Sequence, residues 1–116
     1  MIPSVPLFFT NELAKQIKNE WGAAKLIYGN NCIAHLNDVR DLAKGVSNLL
    51  TGDGVFVFEC NYWGVMVDTT NYSLIYHDHF SYFTVKVWKK FAKKYGLYTF
   101  EVILTTYKCG TLILFF

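Results

Sequence analysis

No stretch of this sequence approaches the ~18 to 20 consecutive apolar residues that a helix needs to cross a bilayer, so no membrane partner is expected. The apolar segment from Val5 to Phe9 is too short for the core of a secretory signal and has no basic lead. Cysteine is scarce: Cys32, Cys60 and Cys109 stand far apart, without the paired spacing that zinc sites use. An odd cysteine count without a leader fits a reducing compartment, and a cytoplasmic location is expected. Charge of one sign is also lacking, since the net charge of +2 implies no acidic partner. Lys86, Lys89, Lys90, Lys93 and Lys94 do cluster, but as the wet face of one helix, so nucleic acid is not expected either. A glycine-rich loop between a strand and a helix is missing too. Gly22 is isolated and Gly52-Asp53-Gly54 follows a helix, so neither cradles a phosphate or a cofactor.

What is present is apolar and aromatic, at 53% and 18% of the chain. That is too hydrophobic for disorder and rich for one small domain. Strands buried on both faces produce such an excess, and so does a fragment whose interior faces have lost their partner. At 116 residues the chain supports one domain.

A first helix is expected from Thr10 to Trp21, with Thr10 as its cap, Phe9, Leu13, Ile17 and Trp21 at four-residue spacing, and Gly22 as its stop. Ala24 to Tyr28 reads as a short buried strand ending at Gly29-Asn30-Asn31. A second helix runs from about Asp38 to Leu50, with Val39, Leu42, Ala43, Val46, Leu49 and Leu50 on one stripe. Gly52-Asp53-Gly54 turns the chain into Val55 to Glu59, apolar on both faces until its end in the manner of a central parallel strand. These pieces span one right-handed crossover unit. A third helix, Thr84 to Tyr95, should bury Val87, Trp88, Phe91 and Tyr95. Tyr98 to Leu104 and Thr111 to Phe116 then close the chain as an antiparallel pair. The fold class is therefore α/β: a partial doubly wound, Rossmann-like sheet of parallel strands ending in an antiparallel hairpin. Ligands of such sheets sit at the carboxyl ends of the strands, where Asn30, Asn31, Glu59, Asn61 and Tyr62 fall.

The histidines lie near strand ends and loops. His35 follows the first strand, while His77 and His79 bracket Asp78. A histidine beside a carboxylate is a natural general base, because the carboxylate fixes the tautomer and stabilises the imidazolium. Loop histidines satisfied by local hydrogen bonds look the same in sequence. In an extended segment His77 and His79 would point one way and could hold a metal, but spacing shows no third ligand, so no metal is expected. Glu59 is either functional or a capping or surface residue. Asn30-Asn31 is either a turn or a cofactor contact. Trp63, Tyr72, Tyr82 and Phe83 read as packing before they read as a stacking platform.

Together these residues resemble a known family. Ile75 to Phe83, I-Y-H-D-H-F-S-Y-F, resembles the Y-H-E-H-(L/F)-S-Y signature of sugar C-methyltransferases, which methylate carbon 3 of nucleotide-linked 4-keto-2,6-dideoxy sugars. Leu26 to His35 resembles that family's strand and N-N-V-x-A-H loop. Leu49 to Glu59 resembles its L-L-x-P-D-G-V-F-V-F-E turn and strand, and Tyr107 to Leu112 sits where it has H-G-G-S-L. The likeness runs from about Phe8 to Phe116.

The resemblance implies S-adenosylmethionine as methyl donor and a nucleotide-linked keto-sugar as substrate. It makes His79, supported by Asp78, the base that removes the proton α to the ketone. Tyr76 and His35 would orient the substrate or hold the enolate oxygen, and Asn30 and Asn31 would lie near the cofactor. It also makes residues 1–116 one partial domain, the later strands of the methyltransferase sheet. The family's zinc-binding part, glycine-rich loop and C-terminal domain have no counterpart here. Asp78 replaces a glutamate, and Lys108-Cys109-Gly110 replaces His-Gly-Gly. The chain is thus expected to be inactive alone and to need a complementary chain carrying the cofactor loop. The alternative is a non-catalytic module that binds a partner subunit through its exposed sheet edge.

Overall fold

The computed structural model describes residues 4–106 and 110–116. Tyr107, Lys108 and Cys109 lie outside the described residues, and with them half of the Tyr107 to Leu112 resemblance.

Helix α1 spans Asn11–Trp21 and is followed by strand β1, Ala24–Asn30. A single 3-10 turn, Ile33–His35, leads to helix α2, Val39–Leu49, and strand β2, Leu50–Asn61. Helices α3, Trp63–Asp68, and α4, Val85–Lys93, precede the hairpin of β3, Glu101–Thr105, and β4, Thr111–Phe115. The sheet order is β1-β2-β4-β3, with β1 parallel to β2 and β4 antiparallel to both neighbours. The mixed α/β sheet is as expected.

Local chemistry accounts for the helix starts. Thr10 Oγ1 accepts from Leu13 N at 3.1 Å, Asp38 accepts from the amides of Arg40 and Asp41, and Thr84 Oγ1 accepts from Val87 N. Each cap satisfies amides that have no partner inside the helix, at about 1 kcal/mol apiece. Helix α1 docks on α2 through Asn11 N to Asp41 Oδ2 at 2.9 Å and Asn48 Nδ2 to Asn11 Oδ1 at 2.7 Å.

The core lies between one sheet face and helices α2 and α4. Phe56, Phe58 and Cys60 project from that face of β2 beside Leu112 and Leu114 of β4, and meet Val46, Trp88 and Ala92. Phe58 has no exposed surface, and its ring stands 4.6 Å from Trp88 and 5.6 Å from Phe116.

Several expectations need correction. β1 is not buried: Leu26 is 63% and Tyr28 59% exposed, because it is an edge strand whose second face is left open. That open face continues into Ile103 of β3, 43% exposed. Gly52-Asp53-Gly54 is not a turn before the strand but part of β2, at an irregularity where Ala24 pairs Leu50 and Leu26 pairs Val55. A Cβ on Gly54 would stand 3.0 Å from the Ala24 carbonyl, so the close crossing needs glycine. Val87 is 51% exposed, since the buried stripe of α4 runs through Trp88 and Ala92 instead. The stripe Phe9, Leu13, Ile17 and Trp21 lines an open groove with Val5 and Leu7, and Phe9 also packs against the core. Helix α3 was not expected: six residues are too few to show a helical period.

At the turn into β4, Gly110 has φ +111°, and a Cβ there would meet Val65 Cγ1 at 2.6 Å. Gly110→Ala therefore combines backbone strain with overpacking against α3. It should lower stability by about 2 kcal/mol or more. An unchanged urea midpoint would refute that account.

Candidate active site

β1 and β2 run parallel and end side by side, Asn30 opposite Glu59. There the chain turns at Asn31, which takes the left-handed φ of 48° and donates its amide to the Glu59 carbonyl at 2.9 Å. The 3-10 turn that follows carries His35 at its end. The histidine segment then arrives over the same strand ends. Phe80 N bonds the Ala34 carbonyl at 2.7 Å, and Trp63 N bonds the Phe83 carbonyl at 3.3 Å, so the segment is fastened just after His79.

Ahead of these bonds the segment is not extended. His79 N bonds the Tyr76 carbonyl at 3.0 Å, which makes Tyr76 to His79 a turn. His77 stays exposed on the turn and does not join His79. The pairing expected of a straight strand is therefore absent. His79 instead meets His35 across 44 positions of sequence, with ring centroids 4.7 Å apart at 70°. The Tyr76 ring lies 4.3 Å from His79.

The hydrogen bonds define the tautomers. His35 Nδ1 lies 2.9 Å from the Asp78 carbonyl oxygen, and His79 Nδ1 lies 3.1 Å from that of Leu74. A carbonyl only accepts, so in both rings the Nδ1–H is the donor and the neutral ring keeps its lone pair on Nε2. The Asp78 carboxylate faces His35, with Oδ2 3.5 Å from Nδ1. Asp78 thus supports His35, not His79, whose orienting group is the Leu74 carbonyl. That carbonyl also accepts from the Tyr82 hydroxyl at 3.1 Å. A backbone carbonyl carries no side-chain signal, so sequence reasoning could not find it.

Asn31, His35, Asn61, Leu74, Tyr76, Asp78 and His79 line one cleft of about 410 Å³. The four residues expected to do chemistry are all there, as is Asn31. Asn30 lies at its edge, where Asn31 Nδ2 donates to Asn30 Oδ1 at 2.5 Å. Asn61 Nδ2 is buried in the cleft wall without a hydrogen-bond partner. Glu59 contributes its carbonyl, and its side chain does not line the cleft. Trp63 packs on Tyr82 at 5.6 Å, the packing role expected of it. Burial, with help from Glu59 and then Cys32, pushes the Cys60 thiol up to about 12, so it is no nucleophile at neutral pH. No helix among the described residues is long and apolar enough to cross a membrane.

No family model matches the chain. It is 32% identical over 114 residues to the C-methyltransferase NovU of Streptomyces niveus, a match covering 98% of this chain and 27% of that protein. The chain thus spans about a quarter of that relative's length. An O-methyltransferase family protein from Burkholderia thailandensis superposes with a TM-score of 0.51 at 16% identity, over 87% of this chain and 32% of that one. This likeness gives the fold: the α/β sheet is part of a methyltransferase fold.

Proposed function

We propose that this chain, similar along nearly its whole length to a quarter of a C-methyltransferase, forms the substrate side of an S-adenosylmethionine-dependent C-methyltransferase site. The substrate class is a nucleotide-linked keto-sugar, methylated at a carbon α to the ketone. One observation carries the reading: the Leu74 carbonyl holds His79 as the Nδ1–H tautomer in a cleft at the strand ends.

A ketone acidifies its α-hydrogen, and His79 Nε2 takes that proton while the C–H pair forms the enolate double bond and the carbonyl π pair moves onto oxygen. The phenol of Tyr76 and the orphaned amide of Asn61 are donors suited to that developing negative oxygen. His35 accepts a sugar hydroxyl when neutral and donates from Nε2 when protonated. S-adenosylmethionine, when bound, supplies the electrophilic methyl group that the enolate carbon takes. The amides of Asn30 and Asn31 fit hydrogen bonding to its nucleoside part, since each keeps groups beyond the bond that joins them. No glycine-rich cradle lies among these 116 residues, so the remaining contacts come from elsewhere in the protein or from a second chain. The chain by itself would then be inactive in methyl transfer.

Proton removal needs only the substrate side, and this makes the reading testable. In heavy water, the chain should speed exchange of the α-hydrogen of a nucleotide-linked 4-keto-2,6-dideoxy sugar, followed by loss of its proton resonance. Exchange no faster than in buffer would sink the base assignment.

The exposed Leu26 and Tyr28 on edge strand β1 favour a second reading, a non-catalytic module that adds a partner to this edge and open face. That module would bind a complementary chain yet show no exchange.

A further inference from the structure

Three potential ligands converge in the cleft: one donor atom each of His35, Asp78 and His79 lies within 4.8 Å of the other two. Two histidines, a carboxylate and an open fourth position make up the donor set of catalytic zinc sites. What raises this cluster above chance proximity is the support behind it. Metal-binding histidines almost always donate their other N–H to a carboxylate or a backbone carbonyl, which fixes the ring and leaves the opposite nitrogen bare. Both histidines already do so, His35 to the Asp78 carbonyl at 2.9 Å and His79 to the Leu74 carbonyl at 3.1 Å. The two Nε2 lone pairs are therefore preset, on rings held 4.7 Å apart.

We propose that His35, Asp78 and His79 bind a divalent transition-metal ion of the zinc class in this cleft, through the two imidazoles and the Asp78 carboxylate. Zinc–ligand bonds of ~2.0 to 2.2 Å place tetrahedral donors roughly 3.3 to 3.5 Å from one another, so the cluster must tighten by about an ångström. The Asp78 carboxylate, now 3.5 Å from His35 Nδ1, is the group that must swing toward the two Nε2 atoms, and its side chain is 51% exposed, with room to do so. The rest of the cleft leaves the fourth position to water or to a substrate oxygen. Asn61 Nδ2, buried in the same wall without a partner, is a donor for such an oxygen.

The metal site stands on geometry alone; its consequence rests on the function proposed above. An Nε2 lone pair bound to metal cannot accept a proton, so an occupied site would switch the His79 base off. Metal occupancy would then regulate the reaction.

The test is a titration of the untagged chain with Co²⁺, which reports tetrahedral nitrogen and oxygen ligation by a visible d–d band, followed by displacement with Zn²⁺. One equivalent should bind. His35→Ala and His79→Ala should each weaken binding at least about tenfold, by analogy with the sensitivity of metal sites to their supporting residues. Asp78→Asn should weaken it less, and His77→Ala not at all. Amide spectra of each variant establish that its fold is retained; His35 and Asp78 are exposed and His79 is only partly buried. Absence of a d–d band, a thiolate charge-transfer band pointing to cysteine ligation, or undiminished binding by His35→Ala would each overturn the proposal. None of these results depends on turnover, so they leave the methyltransferase reading untouched. That reading is judged separately, by deuterium exchange in metal-free buffer, and an added equivalent of Zn²⁺ should stop that exchange.

Discussion

Replacing His79 by Asn should slow deuterium exchange at the substrate carbon by ~10²- to 10⁴-fold, the usual contribution of a positioned general base. The amide of Asn can keep the bond to the Leu74 carbonyl, now 3.1 Å from His79 Nδ1, so the loop should hold its shape. What disappears is the basic lone pair on the far side of the ring. Methyl transfer by an enzyme completed with its cofactor half should fall equally, because the proton must leave before the carbon can be methylated. Asp78→Asn separates the possible partners. His35 is oriented by the Asp78 backbone carbonyl, which the substitution leaves in place, and His79 does not depend on the Asp78 carboxylate. A loss for Asp78→Asn much smaller than for His79→Asn is therefore expected. Equal losses would mean that the carboxylate assists His79 after all, and retained exchange in His79→Asn would remove it from the role of base.

Phe58→Ala should destabilise the fold by about 3 to 5 kcal/mol, as expected for a large aromatic removed from a packed core. Phe58 sits on an interior strand with no exposed surface, against Trp88 of α4 and Phe116, and its loss removes the ring that both of them pack on. Among the described residues the sheet and its helix layer meet in this cluster. Domains of this size hold only ~5 to 15 kcal/mol in total, which makes the change a large share of the whole. Urea denaturation read by circular dichroism measures it. A cost under about 1 kcal/mol would show that the core is not centred on Phe58.

Much of this architecture is legible in the chain because its causes are local. The caps Thr10, Asp38 and Thr84 sit next to the amides they satisfy, and the apolar stripe of α2 has the period of the helix that buries it. Residues 55–58 are apolar at every position, and β2 is one of the two strands with neighbours on both sides. Where the cause is distant, local pattern misleads. Leu26 and Tyr28 are apolar or aromatic in a strand, yet exposed, because burial depends on what lies across the sheet and not on the residue. Gly52-Asp53-Gly54 carries turn chemistry but serves a bulge, set by the register of β1 against β2.

The candidate site divides in the same way. The sequence by itself determined its inventory: His35, Tyr76, Asp78 and His79, with Asn30 and Asn31 at a strand end, in a pattern that resembles one family's signature. Only the tertiary structure decided the partnerships. It turned Asp78 toward His35, gave His79 to the Leu74 carbonyl, and left His77 outside. The reason is physical: a turn at residues 76–79 replaces the two-residue alternation of a strand, and hydrogen bonds to backbone carbonyls 5 and 43 positions away set each ring.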